Sequence, residues 1–105
     1  MSGDSPEMNV VPSDLRLSAQ RALLGAIHPE VRLVKVKFDG SKILLTTIAD
    51  RPLSEECAEA MSVAAAEIVS DFPECDLDEQ VIISRGELPK EGSLSEGWVY
   101  QRAEP

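Results

Sequence analysis

Asp39-Gly40 stands between two runs rich in β-branched residues, Val31 to Phe38 and Lys42 to Ile48. Flanked this way, an Asp-Gly pair tolerates positive φ at both positions of a two-residue loop and predicts a type I′ hairpin turn. A chain with this signal must contain an antiparallel pair, and its other elements must pack around that pair. In the first strand Val34, Val36 and Phe38 share one face, and Lys35 and Lys37 point the other way. The second, Ile43-Leu44-Leu45-Thr46-Thr47-Ile48, is apolar on both faces, which suits a central strand rather than an edge.

Helical patterns lie on both sides of the hairpin. Ser13 is an expected N-cap, with Asp14 favouring the positive helix terminus. Leu15, Ala19, Ala22, Leu23 and Ala26 or Ile27 form an apolar stripe, Gly25 weakens the end, and Pro29 stops the helix at about His28. A second helix is expected from Ser54 as N-cap to about Phe72, closed by Pro73. Its core stripe is Ala58, Met61, Ala65, Ile68 and Phe72. The small run Val63-Ala64-Ala65-Ala66 would let it lie close on a sheet. Glu74 to Glu79 reads as an acidic loop and Val81-Ile82-Ile83 as a short strand. Gly86 to Gly97 reads as loop, and Trp98-Val99-Tyr100-Gln101-Arg102 as a final strand. The expected fold is an α+β two-layer sandwich of order α-β-β-α-β-β. Its sheet is antiparallel-rich, with the helices on one face. Residues 1–12 read as a disordered leader and 13–105 as one domain.

Charge is distributed unevenly. From Pro52 to Ser84 there are nine carboxylates and no Lys, Arg or His: Glu55, Glu56, Glu59, Glu67, Asp71, Glu74, Asp76, Asp78 and Glu79. The formal net charge of the whole chain is −9, so this block holds the entire imbalance. Crowded like charges repel and destabilise a compact state, which suggests a positive partner; a solvated, solubilising face is the alternative. The acidic balance and scarce aromatics (Phe38, Phe72, Trp98 and Tyr100) argue against direct nucleic-acid binding. No apolar run approaches the ~20 residues needed to cross a bilayer, and Met1 to Pro12 lacks signal-peptide features, so a cytosolic protein is expected. Cys57 and Cys75 fit a reducing compartment.

Catalytic patterns are missing. His28 is the single histidine and sits where a cation would meet a helix dipole. Glu74-x-Asp76-x-Asp78 opens like a calcium loop, but the sixth and twelfth positions are Glu79 and Arg85 instead of Gly and Glu. There is no Gly-rich nucleotide loop and no G-x-S-x-G. No enzyme activity, metal or cofactor is expected.

Asp50-Arg51-Pro52-Leu53-Ser54-Glu55-Glu56, Ser62-Val63-Ala64-Ala65-Ala66-Glu67-Ile68, Asp71-Phe72-Pro73 and Trp98-Val99-Tyr100-Gln101-Arg102-Ala103-Glu104 together resemble small bacterial immunity proteins. Those proteins accompany contact-dependent growth inhibition and other polymorphic toxin systems, and the likeness covers roughly residues 24–104. The resemblance implies an antitoxin encoded beside a toxin, which binds the toxin's C-terminal domain and blocks it. Read with the charge, the expected partner is a basic toxin domain, a nuclease being the leading class because it must attract phosphate. The expected contact surface is Glu67, Asp71, Glu74, Asp76, Asp78 and Glu79 on the second helix and the loop after it. Trp98 and Tyr100, two apart on one strand, are expected to share a face, either closing the edge of the core or serving as interface anchors. The alternative is a general acidic interaction module or small subunit of a larger assembly.

Overall fold

Val31–Phe38 (β1) and Lys42–Ala49 (β2) pair antiparallel, with Phe38 opposite Ile43 at the turn. The structure, a computed structural model, describes residues 12–88 and 96–102; most of the expected leader therefore lies outside the described residues. The hairpin is where the sequence puts it, but its turn is of another kind. Gly40 has φ +97°, whereas Asp39 is not in the positive-φ region. Instead the Asp39 side chain shapes the turn. Its Oδ1 accepts from the Lys42 N–H at 2.9 Å and the Ser41 N–H at 3.3 Å, in the manner of an Asx turn. Those two donors hold its carboxyl below the ordinary aspartate range. One residue with positive φ is then enough.

Glu55–Asp71 (α2) carries the chain from β2 to Asp76–Ile83 (β3). A helical crossover of this kind returns the chain in the same direction, and β3 pairs with β2 in parallel, Lys42 opposite Asp76 and Ala49 opposite Ile83. This corrects the expected acidic loop: Asp76, Asp78 and Glu79 are strand residues. Strand pairing tolerates them because β3 is an edge, exposed along nearly its whole length. Glu96–Gln101 (β4) pairs antiparallel with β1 on the other side. The order β3-β2-β1-β4 makes β2 central, as its two apolar faces require, and leaves two of three pairings antiparallel. The α+β class, the element order and the antiparallel-rich sheet are as expected.

Both helices pack on one sheet face. Ser13–Ala22 (α1) supplies Leu15, Ala19 and Ala22 to the core, and α2 supplies Cys57, Met61, Ala64, Ala65 and Ile68. They meet Val31, Val34, Val36, Ile43 and Leu45. Three local expectations are corrected. Pro12, not Ser13, is the N-cap of α1 and makes no side-chain cap. The helix ends at Ala22, because the chain turns there through Gly25 at φ +81°. His28 therefore lies well past the helix end, its Nδ1 2.9 Å from the Ala26 carbonyl. Ala58 is exposed, and Cys57 takes its place in the stripe, since α2 is rolled toward Cys57 at its N-terminal turn. Ser54 is the N-cap as expected, its Oγ accepting from the Cys57 N–H at 3.1 Å.

Candidate functional site

All nine carboxylates of the acidic block are exposed, but they do not form one face. Glu67 and Asp71 lie on the C-terminal half of α2 and Glu74 on the turn that follows. From there the chain enters β3, where side chains alternate between faces. Asp76 and Asp78 share the open face with their partners Lys42 and Leu44, and Glu79 shares the helix-covered face with Leu45. On that side Glu79 lines a shallow groove of about 220 Å³ left by the small residues Ser62, Ala65 and Ala66 of α2.

The acids gather most closely at the hairpin end of the sheet. Lys42 Nζ lies 3.2 Å from Asp78 Oδ2, and its pKa is raised first by that hydrogen bond, then by the charges of Asp78, Asp76 and Asp39. One lysine is thus set among three carboxylates. The Asp76 N–H donates to the Ser41 carbonyl at 3.0 Å, fixing the start of β3 to the turn. Asp71 is partly committed to structure, since Ser18 Oγ of α1 donates to its Oδ2 at 2.6 Å.

Trp98 and Tyr100 do not share a face. Tyr100 pairs with Val34 but Trp98 with Lys35, because β4 carries an extra residue at Val99. A bulge of this sort reverses the alternation. Tyr100 and Val99 pack against the core beside α1, and Trp98 turns to the open face. Both lie on the strand edge farthest from β3.

Other chemistry-bearing groups serve the fold. Cys57 and Cys75 are free thiols, and burial plus the neighbouring Glu30 carboxylate pushes the Cys57 thiol up to about 11. Among the described residues no group of three His, Cys, Asp or Glu side chains could hold a metal ion. No described helix is long and apolar enough to cross a membrane.

The family profile of the MafI2 immunity proteins matches residues 12–104. The chain belongs to the MafI2 immunity protein family. That match spans the helices, the hairpin and both edge strands. No curated protein sequence matches the chain. Among solved structures, the rebuilt and re-refined structure of a tri-AMPylated Shewanella oneidensis HEPN toxin in complex with MNT antitoxin contains a similar chain. The TM-score is 0.46 at 12% identity, over 83% of this chain and 73% of that one.

For this MafI2 protein, sequence reasoning missed two kinds of residue. Lys42 and Ser18 contact acids far away in sequence, and only strand pairing and helix docking bring them there. Val81, Ile82 and Ile83 read as ordinary strand residues, yet they are 49%, 38% and 49% exposed. Their exposure follows from β3 being an edge, which depends on sheet order.

Proposed function

We propose that this immunity protein neutralises a basic toxin domain, a nuclease being the leading class, by docking its acidic side on the toxin's phosphate-attracting cleft. The contact surface is Glu67, Asp71, Glu74, Asp76, Asp78 and Glu79, running from the end of α2 along β3. One observation carries the reading: at the hairpin end the exposed carboxylates Asp39, Asp76 and Asp78 outnumber Lys37 and Lys42, the latter 3.2 Å from Asp78, so that end keeps excess negative charge. A positive partner relieves that repulsion, and exposed charge steers encounter toward ~10⁸ M⁻¹s⁻¹ or more at low salt. Trp98 and Tyr100, on the far edge, are assigned no central part; Trp98 is at most a rim contact.

The test is the association rate with the toxin domain encoded beside this chain, measured at low and high salt, for the wild type and an Asp76→Lys, Asp78→Lys variant. The expected result is a steep fall with salt and a variant slowed at least ~10-fold at low salt. A rate indifferent to salt, or a folded variant that still protects cells fully, overturns the acidic-surface reading.

A further inference from the structure

The geometry points to the free edge of β3 as a strand-addition site, on which the toxin domain lays an extended segment with cationic side chains at one end and apolar ones at the other. This rests on the proposed function and goes further by naming the docking mode.

The Asp76 N–H donates to the Ser41 carbonyl at 3.0 Å and the Ser84 N–H to the Ala49 carbonyl at 2.8 Å. In a parallel pair the inward-bonding residues alternate, so Asp78, Gln80 and Ile82 also turn their peptide groups to β2. Leu77, Glu79, Val81 and Ile83 turn theirs outward, along the open edge. An eight-residue edge with neither proline nor bulge is a template for another strand.

Side chains on this edge are sorted by type. Its first half bears Asp76, Asp78 and Glu79, and its second half Val81, Ile82 and Ile83, all well exposed. Charges commonly guard edges, yet here they leave the apolar half unguarded. A second copy of the chain fits poorly. Antiparallel self-pairing about the strand centre would set Asp76 against Ile83 and Asp78 against Val81, and parallel self-pairing would set carboxylate against carboxylate. A strand with Lys or Arg opposite Asp76 to Glu79 and apolar residues opposite Val81 to Ile83 satisfies both halves.

Amide hydrogen exchange of the full chain, free and bound to the toxin domain encoded beside it, tests this. Binding should protect the Leu77, Glu79, Val81 and Ile83 amides by roughly 100-fold or more, with a period of two, while Asp78, Gln80 and Ile82 are already slow in the free protein. Val81→Pro removes one outward N–H without touching the β2 ladder, and should weaken binding by roughly tenfold or more at unchanged melting temperature. A complex in which the four outward amides still exchange freely, or a folded Val81→Pro variant with full affinity, overturns strand addition but leaves the acidic-surface reading intact. If Val81→Pro does not fold, the exchange pattern of the wild type decides. Concentration-dependent protection of the same amides in the free protein, with a dimer mass, reassigns the edge to self-pairing and overturns the inference. Failure of the wild type to bind the toxin domain removes both proposals.

Discussion

Glu30 Oε2 accepts a hydrogen bond from the Ser54 N–H at 2.9 Å, closing the start of α2 onto the loop before β1. Glu30 is buried. Two caps therefore meet at one helix terminus: Ser54 Oγ takes the Cys57 N–H, and Glu30 takes the Ser54 N–H. A negative charge here also meets the positive end of the helix. The Ser54 N–H foremost, and then the residue's own backbone N–H, lower the Glu30 pKa from 4.5 to about 2.

Acid should therefore loosen this junction. Because the folded pKa lies below the unfolded one, the stabilisation is complete above pH 4.5 and is lost as the pH falls toward about 2. Glu30→Gln should cost ~1.5–3 kcal/mol at neutral pH, the range for a hydrogen bond to a charged group. It should also flatten the fall in stability through that acidic window. Denaturant midpoints measured across the window for both proteins check this; parallel curves would dissociate Glu30 from the acid response.

Gly40→Val should destabilise by ~1 kcal/mol or more. A Cβ at Gly40 would have nothing within 4 Å, so the cost is the φ of +97° and not a clash. Asp39→Ala should weaken the same turn by removing the acceptor for Ser41 and Lys42. An unchanged denaturant midpoint for Gly40→Val would mean that the turn relaxes to another form.

Ser18→Ala should cost ~0.5–1.5 kcal/mol, because it removes the donor that ties α1 to Asp71 at the end of α2. Toxin affinity should stay within twofold or so, since Ser18 is buried between the helices. A large loss of affinity with intact stability would instead show Asp71 acting through its orientation. Substitutions of Asp71 itself mix the two effects, whereas Asp76 and Asp78 report on binding cleanly.

Lys42→Ala should leave the melting temperature essentially unchanged, because the pair with Asp78 is exposed and such pairs contribute little. It should nevertheless speed association with a basic partner at low salt, since the cation amid Asp39, Asp76 and Asp78 is removed. Stopped-flow rates at two salt concentrations decide it; a slower rate would make Lys42 a contact in its own right.

The sequence alone determined the elements that depend on neighbours within a few residues. The hairpin followed from Asp39-Gly40 between two β-branched runs, the α2 cap from Ser54, and the central place of β2 from its two apolar faces. The acidity of the α2–β3 region was equally legible, because charge is a property of composition. Tertiary structure decided the rest. The edge position of β3 depends on which side of β2 the helix returns to, and periodicity carries no trace of that choice. The extra residue at Val99 sends Trp98 and Tyr100 to opposite faces, and only pairing with β1 exposes it. Glu30 and Ser54 are 24 positions apart, as Ser18 and Asp71 are 53. Contacts over such distances form only when the core closes, so the groups that hold α2 in place, and the side of the molecule left open to a partner, belong to the fold and not to the string.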